Sequence, residues 1–295
     1  MKELALDIYT ALFGRKSFAK LNKFLFIAGA KGLGILNYKS PYQSGEEPFL
    51  KRFLKNHDQP SSIVLDIGAN KGEFASWVIG SSKNLHVISF EPNPAAASAL
   101  QKDISEINSR HTTIAKGASA AAEKSILYDY DETNGSGHAS LYSEVFTQIH
   151  HSENASKITA ELTTIDIEME NITGDVCLLK IDTEGHEQEV LLGSLLFIKN
   201  NPPPAILIEF NEMNAISGTH YHRLRSIIGN AYAAFRLLPG GHLLPLENLP
   251  PLFTEIYAYQ NIVFLRSDIK TLQSQPLKIA QKIGFYLFPR EYQKP

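Results

Sequence analysis

Apolar and polar positions change their period once along the chain. Up to about residue 57 they recur at helical spacing: Leu4, Ile8 and Leu12 fall four apart, and Phe49, Phe53 and Leu54 repeat the pattern. This predicts a helical extension, with Ser44 ahead of Glu46, Glu47 and Pro48 as a helix start. From Ile63 onward short β-rich runs alternate with helical ones. The runs are IVLDIG, HVISFEP, TTIAKGA, VCLLKID at 176–182, AILIEF at 205–210, FRLLP at 235–239 and NIVFLRS at 261–267. Such alternation predicts an α/β fold: a doubly wound, mainly parallel, seven-stranded sheet with helices on both faces and an edge hairpin near its end.

The pattern divides the chain into an N-terminal extension at 1–57, a main domain at 58–267 and a helical tail at 268–295. Within the domain, residues 125–165 form an insertion carrying Tyr128, Tyr130, Asn134, Gly135, Ser136, Gly137, His138, Ser140 and Tyr142. A segment of that length predicts a lid or binding element. The tail sets Ile269, Leu272, Leu277, Ile279, Ile283, Phe285 and Leu287 beside Lys270, Lys278, Lys282, Arg290 and Lys294. It is expected to dock on its own domain, the alternatives being a partner chain or, peripherally, a membrane surface. The apolar stretch from Phe24 to Leu36 is broken by Lys31 and three glycines, and falls short of the roughly 20 residues of a spanning helix. It starts too late, and without the small-residue cleavage pattern, for an export signal.

Composition narrows the partners. With 43% hydrophobic and 20% charged residues the chain is an ordinary globular one, and its formal net charge of -3 gives no field that would gather nucleic acid or anionic membrane over the whole surface, so any basic site must be local. The single cysteine, Cys177, rules out a disulfide framework and a thiol cluster. A cytoplasmic location is expected, and the oligomeric state is left open.

Candidate chemistry begins at Asp66-Ile67-Gly68-Ala69-Asn70-Lys71-Gly72, where an apolar strand ends on a carboxylate and enters a glycine turn. A plain tight turn would also read this way. About 20 residues after Gly72, the next strand ends on Glu91-Pro92, near the spacing at which doubly wound domains place a ribose-binding acid. Glu91 can accept both hydroxyls of a vicinal diol, and Pro92 ends the strand pairing. The turn lacks the G-x-G-x-x-G arrangement, and Asp66 would repel a pyrophosphate. S-adenosylmethionine, which has no phosphate and carries positive amino and sulfonium groups, suits it better.

A second constellation follows the fourth run, in Lys180-Ile181-Asp182-Thr183-Glu184-Gly185-His186-Glu187. Ligands bind at the carboxyl ends of such strands. Asp182 or Thr183 could simply cap the helix that follows. Capping does not require Lys180 in the strand or His186 between carboxylates, which favours chemistry. Methyl transfer is an in-line displacement needing an aligned acceptor and, for a hydroxyl, a proton acceptor. Asp182 and His186 are the candidates for the base, with Glu184 and Glu209 orienting the acceptor or the base. The same residues could alternatively ligate a divalent metal, although their spacing does not require one.

DIGANKG at 66–72, FEPN at 90–93, LTTID at 162–166, LKIDTEGHEQEVLLG at 179–193 and IEFNE at 208–212 together resemble the FkbM-type methyltransferases. The resemblance covers roughly residues 60–267. It implies a class I, Rossmann-like methyltransferase fold, S-adenosylmethionine as donor, and an oxygen acceptor in a sugar, glycan or secondary metabolite. By the same likeness Asp66, Gly68, Asn70 and Gly72 would surround the methionine end, Glu91 would hold the ribose, and Gly117 and Ala118 would flank the adenine. No acid stands at 117–118 to bond the adenine amino group. The competing expectation is a module that binds the donor without turnover. A nucleic-acid methyltransferase is disfavoured, because the chain has neither a basic stripe nor a motif for a flipped base.

Overall fold

The computed structural model describes residues 2–105, 108–130, 139–149, 151–152 and 155–269. The helical tail expected over 268–295 lies outside these residues beyond Ile269, as do His138 and the rest of 131–138.

Helices α1 (Lys2–Phe13), α2 (Ala19–Gly32), α3 (Pro41–Ser44) and α4 (Glu46–Lys55) come first. Ser40 accepts the Gln43 N–H at 3.2 Å and starts α3, while the Ser44 hydroxyl accepts the Glu46 N–H at 3.3 Å, where the sequence places a helix start. Helix α4 buries Phe49, Leu50, Phe53 and Leu54 on one face of the sheet.

The α/β part runs β1 (Ser62–Ile67), α5 (Glu73–Ser81), β2 (His86–Phe90), α6 (Pro94–Leu100), β3 (His111–Ile114), β4 (Gly117–Ala118), β5 (Glu123–Tyr130), β6 (Ala155–Thr163), α7 (Ile165–Glu168) and β7 (Asp175–Ile181). It continues with α8 (Glu187–Leu192), α9 (Leu195–Asn200), β8 (Ala205–Phe210), α10 (Met213–Ser217), α11 (Tyr221–Ile228), β9 (Tyr232–Leu238), β10 (His242–Pro245), α12 (Pro251–Thr254) and β11 (Gln260–Arg266).

The main sheet has the order β10-β9-β11-β8-β7-β1-β2-β3. Strands β3, β2, β1, β7 and β8 are parallel, and β11 runs antiparallel to both β8 and β9. The chain leaves β1 toward β3 and returns on the other side of β1 as β7, so the order reverses between β1 and β7. In open α/β sheets that switch point opens the crevice for ligands. Side chains alternate between two buried layers: Leu65, Ile67, Leu179, Ile181 and Ile208 on one face, Val64, Leu178, Leu207 and Val263 on the other. Burial on both faces explains why the strands read as unbroken apolar runs. The class I methyltransferase architecture expected from the sequence is the one observed.

Two details differ from the expectation. The sheet has eight strands, not seven, because the four-residue β10, whose side chains are only partly buried or exposed, pairs with β9 as the outermost strand. The run TTIAKGA also divides: Thr112 to Ile114 stay beside β2, whereas Gly117 and Ala118 pair with Leu162 and Thr163 in a separate sheet of order β4-β6-β5. The insertion is thus built on an antiparallel pair, β5 with β6, in register from Glu123↔Leu162 to Tyr130↔Ala155. Its polar outer face hides the strand period in the sequence.

Candidate active site

Two cavities open at the carboxyl ends of the parallel strands. The first, of about 200 Å³, is bounded by Gly68, Asn70, Glu91, Pro92, Gly117, Ala118, Asp182, Glu184, His186 and Glu209 among others. The second, of about 410 Å³, lies between α4 and α5 and is lined by Glu46, Glu47, Asp66, Lys71, Phe74, Trp77 and Lys180, among others. Gly68, Asn70 and Asp182 border both.

The shared wall depends on Gly68. Its φ is +85°, and a Cβ there would stand 1.9 Å from the Asp182 carbonyl oxygen, so only glycine lets the β1 turn press against the end of β7. The Gly68 and Ala69 N–H groups both donate to the Phe90 carbonyl at 3.0 Å, which folds the turn over β2. Gly72 belongs elsewhere than expected. It borders neither cavity, and a Cβ on it would meet the Leu100 and Ile104 methyl groups at 2.3 and 2.5 Å. The missing side chain at Gly72 makes room for this close packing.

Glu91 is 5% exposed. Its Oε2 accepts the Asn70 N–H at 2.7 Å and its Oε1 accepts the Asn93 N–H at 2.8 Å. These donors aim the carboxylate while leaving a lone pair on each oxygen, the pattern a vicinal diol needs. Burial pushes its pKa up to about 7, against the two N–H groups, which pull it down. Beyond Pro92 the cavity wall turns apolar at Ala118, Leu127, Leu141 and Leu162, giving a slot for a flat ring. Asn93 holds the corner: its side chain caps α6 by accepting the Ala95 and Ala96 N–H groups and donates to Asp129 of β5 at 3.1 Å.

Asp66 is fully buried and borders the second cavity, not the one containing Glu91. Gly68 and Asn70, expected with it at the methionine end, border that second cavity too, and the Asp66 charge is felt at Glu91. Among the described residues Asp66 Oδ1 receives no hydrogen bond, with Lys180 Nζ 3.6 Å away. Lys180 Nζ also donates to Asp182 Oδ2 at 3.0 Å. On the other side, Ser89 stands between Asp66 Oδ2 at 3.5 Å and His111 Nε2 at 3.0 Å. A polar chain therefore crosses β3, β2, β1 and β7, and its register places Ser89 and Lys180 on either side of Asp66. Burial raises the Asp66 pKa, opposed by the Lys180 charge.

After β7 the chain makes a tight loop, with Glu184 and Gly185 at φ +52° and +104°. The loop is held from within by Glu187. Its Oε1 accepts the Thr183 and Gly185 N–H groups and the Thr183 hydroxyl at 3.0 to 3.1 Å, and its Oε2 accepts from Asn214 at 2.5 Å. Neither Asp182 nor Thr183 caps α8, whose first turn has no side-chain cap; Glu187 instead braces the loop ahead of the helix, and burial pushes its pKa up to about 7. Asp182 is left free to face both cavities.

The acids gather around Asn211, whose Nδ2 donates to Glu184 Oε2 and Glu209 Oε1, both at 3.1 Å. Glu209 has its pKa raised well above the usual range, by burial first and then by the charges of Asp182 and Glu184. His186 is gripped at both nitrogens, with the Tyr142 hydroxyl 3.2 Å from Nδ1 and the Ser119 hydroxyl 3.0 Å from Nε2. Burial pushes its pKa down to about 4, so it is neutral near pH 7. Among the described residues no group of three His, Cys, Asp or Glu is arranged to hold a metal ion.

Sequence reasoning passed over Asn93, Ser119 and Asn211, and gave Tyr142 no specific partner. Asn93 and Asn211 stand inside FEPN and IEFNE, so the signal was present but without an assigned role. Ser119 and Tyr142 belong to the separate sheet and its loop, and nothing in their neighbourhood marks them as partners of His186.

The donor set fits a phosphate-free ligand with a diol and positive charge: carboxylates line the first cavity, and the cations Lys71 and Lys180 are confined to the second. Among solved structures, the chain is similar to a putative rRNA-methylase from Clostridium thermocellum at 10% identity, covering 76% of this chain and 97% of that one with a TM-score of 0.40. It is also similar to an O-methyltransferase from Bacillus cereus in complex with SAH, at 15% identity, 89% and 97% coverage and a TM-score of 0.38. A third similar structure is cofactor-bound Rv0187 from MTB, at 11% identity, 89% and 95% coverage and a TM-score of 0.42. No curated protein sequence matches the chain. The Methyltransferase FkbM domain, in contrast, matches residues 66–237, more than half of the 295 residues and a span that contains Glu91, Asp182 and Glu209. The chain therefore belongs to the FkbM methyltransferase family, and its methyl donor is S-adenosylmethionine.

Proposed function

We propose that the protein methylates a hydroxyl oxygen of a sugar, glycan or secondary metabolite. The observation that carries this reading is that one cavity holds Glu91 at one wall and Asp182, Glu184 and Glu209 at another. In this reading Glu91 binds the donor's ribose diol, and Gly68 and Asn70 flank the methionine end. Pro92, Gly117 and Ala118 border the adenine. When bound, the donor supplies an electrophilic methyl group on a positively charged sulfur.

The chain's own residues then have separate tasks. Asp182, which accepts from Lys180 Nζ, sets its carboxyl group at the border of the two cavities. Glu209 takes the acceptor proton. Burial and the neighbouring acids make it more basic than an ordinary carboxylate, as a general base requires, whereas His186 is too weakly basic and is bound at both nitrogens. His186 and Glu184 position the wall through Tyr142 and Asn211. The acceptor approaches from the second cavity, where Glu46 and Glu47 can accept hydroxyl hydrogens and Trp77 offers a ring face. A hydroxyl-rich small molecule or glycan suits these walls better than a nucleic acid, whose phosphates the acids would repel. The buried Cys177 is compatible with a reducing cytoplasm.

Incubating the protein with methyl-labelled donor and fractionated cell extract tests this reading. Label is expected in base-stable ethers of the polysaccharide, glycolipid or small-molecule fraction. Label entering only RNA, DNA or protein would overturn it.

A further inference from the structure

Helices α1 and α2 stand apart from the rest of the protein in burial and in charge. Among their described side chains none is buried, and Phe26 is 75% exposed, Phe24 66%, Leu6 65% and Leu4 62%. The two helices are nonetheless tied to each other. Tyr9 donates to the Asn22 side chain, Asn22 donates to the Phe13 carbonyl at 2.9 Å, and Phe13 packs at 5.0 Å against both Tyr9 and Phe18. This is an ordered helical hairpin whose apolar side chains, including the run Phe24-Leu25-Phe26-Ile27, face outward. Exposed apolar side chains gathered on one small element in this way mark an interaction site.

Charge indicates the occupant. Residues 1–32 carry six basic side chains (Lys2, Arg15, Lys16, Lys20, Lys23 and Lys31) against Glu3 and Asp7, a net of +4 in a chain whose total is -3. The C-terminal residues 270–295 carry five basic side chains and one acid. Neither helix is long and apolar enough to cross a membrane. Short helices with exposed aromatic and aliphatic residues flanked by lysines lie in the plane of a bilayer, their apolar side chains in the acyl boundary and their lysines at anionic headgroups.

We infer that the α1–α2 hairpin docks the enzyme on an anionic lipid surface. Phe24, Phe26, Leu4 and Leu6 insert, while Arg15, Lys16, Lys20 and Lys23 meet the headgroups. The inference stands on exposure and charge alone and is independent of the acceptor's identity.

The test is co-sedimentation of the full chain with vesicles of phosphatidylcholine alone or mixed with phosphatidylglycerol. Binding is expected on the mixed vesicles and much less on the neutral ones. Lys20→Glu with Lys23→Glu should weaken it by about tenfold or more, as expected from about 1 kcal/mol per basic residue. Phe24→Ser with Phe26→Ser should abolish it without changing the unfolding temperature, since neither ring is in the core. No binding to mixed vesicles, or equal binding to both kinds, would overturn the inference. So would a light-scattering mass of two chains that falls to one in the Phe24→Ser, Phe26→Ser variant, because a second copy would then cover the face.

Discussion

Glu91 and Glu209 are both strand-end acids whose protonation burial favours, yet their surroundings give them different proposed work. Glu91 is fixed by two backbone donors and can only accept further hydrogen bonds. Glu209 shares Asn211 with Glu184 and has two acids nearby, so protonation relieves a repulsion. Glu91→Ala should therefore raise the Kd for S-adenosylmethionine by at least about tenfold, or 1.4 kcal/mol, by calorimetry. Glu209→Gln should leave that Kd unchanged, lower kcat by about 10²-fold or more, and remove the acidic limb of its pH profile. If His186→Asn rather than Glu209→Gln abolishes that limb, the histidine is the base. The sequence made Glu91 legible through its spacing from Gly72, and Glu209 through its place at a strand end. It could not rank the four acceptor-side candidates, because burial and the bonds of Asn211, Ser119 and Tyr142 set their basicity.

At the level of elements, the loop joining β7 to α8 shows how a carboxylate can be structural inside a functional motif. Glu187 collects three donors from the loop and one from Asn214, and so keeps Glu184 at a positive φ beside the cavity. Glu187→Ala would leave these donors unpaired, at a cost of about 1 to 3 kcal/mol per buried group. It should lower the unfolding temperature and kcat together, while Glu187→Gln, which keeps one acceptor oxygen, should recover part of both. An unchanged unfolding temperature in Glu187→Ala would show that the loop is held by other contacts. The strands of the parallel core were readable because they are buried on both faces. Strands β5, β6 and β10 were not, since each leaves one face or an edge in water and mixes polar residues into the run.

Across the whole molecule, buried ionisable groups pull stability in two directions. Burial pushes Glu46, Glu91 and Glu187 up to about 7, so the stability linked to their neutral forms is complete below the ordinary carboxylate range and is lost as pH rises through about 7. His111 and His186 are pushed down to about 4, so the stability linked to their neutral forms is present above their ordinary value of 6.5 and is lost as pH falls toward 4. The unfolding temperature of the ligand-free protein should rise as pH falls from about 8 to about 4.5, steeply at first and more slowly below about 6.5, where the two histidines oppose the three carboxyls, and decline only below that. A flat profile across that window would mean that water reaches these groups in the folded state. Net charge and composition foretold none of this, because they count ionisable groups without saying which are dry.

The contact between Gly68 and the Asp182 carbonyl has a consequence for how such an enzyme diversifies. No side chain can be introduced at Gly68, so that point of the wall between the two cavities is closed to substitution. Much of the lining around it comes from α4 and from the β5–β6 insertion, which do not share that constraint. The periphery of the cavities can thus be altered while this one contact between β1 and β7 stays fixed.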